Sequence, residues 1–146
     1  MSESRSKEGV RVLVAVSLFL LAGGASSTPP LDAMELTPTL MGELGFTAKN
    51  FKEDGTFFAQ LIGPRNLHGD CYPQRAGSFL FHSSGELVAF QSAWFEARGE
   101  IALPTAEGTF TDVSMRMRLF VDYFCASNAQ KSKRYFVDLS AVMFIE

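Results

Sequence analysis

The stretch Val113-Ser-Met-Arg-Met-Arg-Leu-Phe-Val-Asp-Tyr-Phe-Cys125 decides the fold class. Its odd positions, Val113, Met115, Met117, Leu119, Val121, Tyr123 and Cys125, are apolar, whereas its even positions include Ser114, Arg116, Arg118 and Asp122. Successive side chains of a strand point to opposite faces, so this period of two predicts a long strand with one buried face. A helix would scatter Arg116 and Arg118 into the apolar stripe. Extended back to residue 109, the strand would span roughly 50 Å at ordinary strand rise, and so must bend or carry a bulge.

The alternation resumes after the polar connection 126–134, with Tyr135, Val137, Leu139, Ala141, Met143 and Ile145 on one face. The two runs predict an antiparallel terminal hairpin. Val142 and Phe144 make its second strand apolar on both faces near the end, so a neighbour such as a short helix is expected to cover it. Toward the N-terminus, Lys52-Glu-Asp-Gly55 predicts a hairpin between 46–51 and 56–62, because Asp-Gly suits the positive φ of a tight turn. Ser83-Ser-Gly85 separates strands expected at 78–81 and 86–96. Arg98-Gly99 is expected to turn the chain into a strand at 100–103, and 104–108 reads as a further break.

The one helix signal lies at the start, where Thr37 suits the cap, Pro38 the first helical position and Gly45 the exit. Together these elements predict a mainly β chain, an antiparallel meander of about six to eight strands with one short N-terminal helix. The sheet is expected to curl, as a small barrel or a sandwich.

Arg5, Lys7 and Arg11 precede the apolar run Val12 to Ala22, and small residues follow. That is the order of a secretory signal peptide, and the run is shorter than the roughly 20 residues a spanning helix needs. Residues 1–25 are therefore expected to be a cleaved signal, 26–36 a linker or N-terminal segment, and 37–146 a single β-rich domain. Export would deliver it to the periplasm or outside the cell, with no stable membrane anchor after cleavage. Residues 26–146 carry ten basic and fourteen acidic side chains. An acidic balance argues against nucleic acid, which is bound through clustered Lys and Arg.

Export also bears on the two cysteines. Cys71 and Cys125 are expected to pair in an oxidising compartment, closing a loop whose constraint stabilises by about 4 kcal/mol in the chain-entropy account. Cys71 lies in Asn66-Leu-His-Gly-Asp-Cys-Tyr-Pro-Gln-Arg75, a stretch rich in turn formers. The bridge is expected to pin this loop to the end of the long strand, leaving His68 and Asp70 as polar loop residues. The competing reading is a metal site drawn from His68, Asp70 or Cys71 with His82 and Cys125. Zinc sites favour several close ligand pairs, and His68-x-x-Cys71 is the one such pair here, so no metal and no cofactor is expected.

Catalytic motifs are scarce: there is no G-x-S-x-G elbow, phosphate-cradling glycine loop or H-E-x-x-H. No catalytic residue is assigned, although Glu96 and Glu100 would flank the Arg98-Gly99 turn. Aromatic residues are abundant, and the adjacent pairs Phe57-Phe58 and Trp94-Phe95 must send one ring to each face of their strands. The outward rings need a covering element, a cavity or a partner. Trp94, Arg98, Arg116, Arg118 and Phe120 are the candidate partner- or ligand-binding residues, since Trp, Phe and Arg are frequent interface anchors. The expected function is that of an exported soluble binding protein, non-enzymatic, acting on a protein partner as an inhibitor or immunity-like protein would. The alternatives are a small β-barrel carrying an apolar small molecule, and a hydrolytic enzyme with a His/carboxylate site.

Overall fold

A computed structural model describes residues 31–95 and 103–144. The expected signal peptide, Glu96, Arg98, Glu100 and most of the strand expected at 100–103 lie outside the described residues. Along the chain come β1 (Asp32–Glu35), α1 (Pro38–Leu44), β2 (Thr47–Glu53), β3 (Thr56–Ile62), β4 (Cys71–Phe81), β5 (Leu87–Trp94), β6 (Thr105–Phe110), β7 (Arg116–Cys125) and β8 (Lys133–Ser140). Short 3-10 turns follow β7 at Ala129–Lys131 and β8 at Ala141–Met143.

The local signals act as their chemistry requires. Thr37 accepts a hydrogen bond from the Leu40 amide at 3.1 Å, and Gly45 leaves α1 at φ 91°. Between β2 and β3, Asp54 (φ 52°) and Gly55 (φ 78°) occupy the two positive-φ positions of a tight hairpin turn.

The strands form two sheets. A five-stranded sheet runs in the order β1-β8-β7-β4-β5, and a three-stranded sheet in the order β2-β3-β6. All pairings are antiparallel except that of β1 with β8. Phe57, Leu61, Ala106 and Phe110 from the smaller sheet share one core with Met117, Leu119, Val121, Tyr123 and Val137 from the larger. The architecture is thus the expected mainly β, curled, antiparallel-rich one, and it is a pair of packed sheets, not a closed barrel. Neighbours in space are not always neighbours in sequence, because β7 lies between β4 and β8 and the chain changes sheets on either side of β6.

Three expectations are corrected. The strand expected from 109 to 125 is two strands, one in each sheet. Between them Asp112 folds the chain into an Asx turn, its carboxylate accepting from the Ser114 amide at 2.9 Å and the Ser114 hydroxyl at 2.7 Å. The break expected at 104–108 is instead mostly β6, where Gly108 lets the strand settle over Met117. A Cβ at that position would stand 2.7 Å from Met117 Cε. The last strand stops at Ser140. The chain then turns, sending the Phe144 ring edge-on against Phe57 and Phe110 at 5.3 and 5.5 Å, while Val142 is left exposed. The apolar end is therefore covered through Phe144 by the smaller sheet.

The disulfide joins the expected cysteines in an unexpected place. Cys71 opens β4 and is the direct register partner of Cys125 at the end of β7, with their Cα atoms 3.9 Å apart. It staples two adjacent strands, where a loop-to-strand bridge was expected, because Cys71-Tyr72-Pro73 is already strand. A disulfide of this kind belongs to an oxidising compartment. Among the described residues no helix is long and apolar enough to cross a membrane.

With 54 residues of sequence separation, replacing both cysteines by alanine is expected to lower the unfolding free energy by about 4 kcal/mol without loss of the β-sheet circular dichroism signal. Urea denaturation measures this. An unmoved midpoint would mean that the hydrogen-bond ladder alone holds β4 to β7.

Candidate partner-binding face

The register of the five-stranded sheet sorts its side chains into two sets. Met117, Leu119, Val121, Tyr123 and Cys125 face the core between the sheets. The alternate residues of β7 face away, and each meets partners from β4 and β8 that share its side of the sheet. Arg118 stands between Phe79 and Asp138, Phe120 between Gly77 and Phe136, and Asp122 between Arg75 and Arg134. Beyond β4, β5 adds Phe90 beside Phe79, Ser92 beside Gly77 and Trp94 beside Arg75.

This outer face is built from rings and guanidinium groups in alternation. Phe79 is the hub, its centroid 4.7 Å from Phe90, 5.4 Å from Phe120 and 6.0 Å from Phe81. Arg134 lies 3.9 Å above the Phe120 ring and Arg118 the same distance above Phe136. Arg75 is shared between Phe90 at 5.2 Å and Trp94 at 4.8 Å, and its Nε donates to the Ser92 hydroxyl at 3.1 Å. A cation over a ring face is attracted by the ring quadrupole, by about 0.5 to 2 kcal/mol depending on desolvation.

Two carboxylates hold the guanidinium groups in place. Arg134 donates to both oxygens of Asp122 at 2.7 and 3.0 Å, and Arg118 to both oxygens of Asp138 at 2.7 and 2.9 Å. The first pair is the more covered, with the Asp122 side chain 4% exposed. Burial lowers the Arg75 pKa, opposed by the nearby Asp122 charge and reinforced by Arg134. The hydrogen bonds to Asp138 raise that of Arg118. Both guanidinium groups remain charged, since arginine titrates far above neutral pH.

The sequence candidates come together only in part. Trp94, Arg116, Arg118 and Phe120 share this one face, while Arg98 lies outside the described residues. Phe120 is fully buried, so it is a floor for the face and offers no contact of its own. Arg118 is occupied by Asp138. Arg116 is exposed and has no carboxylate within ion-pair distance among the described residues. Trp94 is 64% exposed, and its neighbour Phe95 packs toward the core, so this pair sends one ring to each side. Near Arg116 the face dips into an open depression of about 280 Å³ lined by Phe81, His82, Gly85, Arg116, Met117, Arg118 and Asp138.

Sequence reasoning missed Arg75, Phe79 and Arg134, which supply much of the face. It also missed Gly77, whose missing side chain admits the Phe120 ring. A Cβ there would press into the Gln91 carbonyl and stand 2.8 Å from Phe120 Cζ. The available signal was the absence of a side chain in the middle of a strand, which marks a close approach.

The remaining candidates lie elsewhere. His68 (φ 56°) and Gly69 (φ 87°) form a tight turn closed by hydrogen bonds between Leu67 and Cys71. Asp70 accepts from the backbone amide of Ser127 at 3.0 Å and from its hydroxyl. These bonds, the hydroxyl's first, hold the Asp70 pKa below the ordinary carboxylate value. His82 sits in the depression, just past the end of β4 opposite to the one that the turn adjoins. Among the described residues no group of three or more His, Cys, Asp or Glu side chains could hold a metal.

Two outcomes follow from this geometry. Gly77→Ala is expected to cost about 1–3 kcal/mol in a denaturation experiment, because the nearest obstacle is backbone and cannot rotate away. Asp70→Asn is expected to destabilise at neutral pH and to be nearly silent in strong acid. A depressed folded-state pKa gives stability above the unfolded value near 3.8 and loses it as the pH falls through the folded value. Parallel melts of wild type and variant across that range provide the check; a pH-independent difference would assign the effect to packing.

A scan of protein-family models, a search of curated proteins and a search of solved structures each found no match to this chain.

Proposed function

We propose that this protein is an exported, non-enzymatic binding protein that engages a protein partner through the outer face of its five-stranded sheet, as an inhibitor or immunity-like protein would. The observation that carries the reading is the exposed part of that face, where Arg116, with no carboxylate in ion-pair distance among the described residues, borders a depression with Phe81 and His82, and Trp94 stands out at the far end. Arg and aromatic side chains set on a rigid floor are the residues most often found at the energetic centre of protein interfaces. The floor here is rigid because Arg118 and Arg134 are each held by two hydrogen bonds and stacked on a ring.

The site of action we propose is the periplasm or the extracellular space, reached through a leader at residues 1–25. The disulfide and the basic-then-apolar order of that leader both support it. A protein is favoured over an apolar small molecule because the space between the sheets is filled by side chains such as Leu61, Leu119 and Val121, each fully buried. The acidic balance of the chain disfavours nucleic acid.

The test is a photo-crosslinking residue placed at Phe81, with Glu53 on the smaller sheet as control, in cells that export the protein. A discrete adduct with a second protein is expected from position 81 and not from 53. Arg116→Glu is expected to weaken it about tenfold, the scale of an interface anchor. Equal adducts from both positions, or an adduct indifferent to Arg116→Glu, would remove the reading.

A further inference from the structure

The five-stranded and three-stranded sheets leave four edge strands among the described residues, and three are guarded. β1 has four residues and carries Asp32 and Glu35; β2 carries Lys49, Lys52 and Glu53; β6 carries Glu107. Short length and charge are the usual means of keeping an edge from pairing with another chain. β5 has eight residues, Leu87-Val-Ala-Phe-Gln-Ser-Ala-Trp94, all exposed and none charged. Its one irregularity is the register shift opposite Leu80 and Phe81, at its beginning. From Phe90 to Trp94 the edge is regular, and no strand among the described residues pairs with its outer side.

We propose that β5 is a homodimer edge, at which two copies of the chain add antiparallel through Phe90 to Trp94 about a two-fold axis at Ser92. The backbone has the right phase. The Phe95 amide donates to the Gln74 carbonyl at 2.9 Å, and hydrogen-bonded pairs alternate along an antiparallel ladder. Ala93 and Gln91 therefore turn their amides and carbonyls toward β4, while Phe90, Ser92 and Trp94 turn theirs to the open edge.

The side chains are self-complementary about the same point. Phe90, Ser92 and Trp94 all lie on the outer face, as partners of Phe79, Gly77 and Arg75. A two-fold axis at Ser92 sets Phe90 of each copy opposite Trp94 of the other and Ser92 opposite itself. Cross-strand aromatic pairs of this kind stabilise a sheet, and these two rings have area to lose to water, being 42% and 64% exposed. A second copy is favoured over a different protein because the strand offers no charge with which to select an oppositely charged partner, whereas self-pairing sets no like charges together. The resulting sheet is continuous across both copies and presents both outer faces on one side.

The test is sedimentation equilibrium of the exported, disulfide-bonded chain with no other protein present, from micromolar to millimolar concentration. The wild type is expected to show twice the monomer mass, and Ser92→Lys, which sets two ammonium groups against each other at the axis, half of that. Ser92→Pro is a second, independent variant. It removes an amide that points away from β4, so the fold should be retained, as circular dichroism would verify, while the dimer is lost. A monomeric wild type throughout, or a dimer unchanged in both variants, would overturn the proposal and leave the edge to a strand from another protein. Because no partner is present, the result stands apart from the fate of the function proposed above.

Discussion

The register between β4 and β7 is the constraint on which the rest of the molecule depends. Side chains alternate across a strand, so a slip of one residue would carry Leu119 and Val121 into water and Arg118 and Asp122 into the core. The Cys71–Cys125 bond excludes that slip by joining two residues that are already opposite each other. A shift in the ladder between Pro73 and Arg75 then resets the phase once, bringing Arg75 level with Asp122 and Gly77 level with Phe120. Both the shared core and the outer face take their composition from this one alignment.

Much of the fold was legible in local chemistry. The turn at Asp54-Gly55, the cap at Thr37 and the terminal hairpin all rest on residues within a few positions of one another. What could not be read depends on distant partners. The period of two runs straight through Asp112 and Val113, because a chain crossing from one sheet to the other over an Asx turn can keep its alternation while changing neighbours. Cys71-Tyr72-Pro73 resembles a loop by composition, yet an edge-like start beside Cys125 tolerates the proline. Asp32–Glu35 has no strand signal of its own and is recruited by the exposed side of β8.

The candidate face was legible only in outline for the same reason. Alternation along β7 pointed Arg116, Arg118 and Phe120 outward, which is where the sheet puts them. It could not show that Asp138 and Arg134, from β8, would bind Arg118 and cover Phe120, nor that Gly77 would make room beneath that ring. The aromatic excess has a plain physical use. An outer face over which the described residues lay no helix keeps its rings from water by capping them with guanidinium groups, whose polar edges stay solvated while their flat faces cover carbon.

Trp94 is the one tryptophan in the chain. It lies beneath the Arg75 guanidinium at 4.8 Å and stands well away from the shared core, with most of its surface open to solvent. Excited beyond the absorption band of the tyrosines, the molecule thus emits from a single spot on the rim of one sheet. That tryptophan light is responsive to whatever comes to rest on the rim, so the protein carries a built-in optical probe at the border of its outer face.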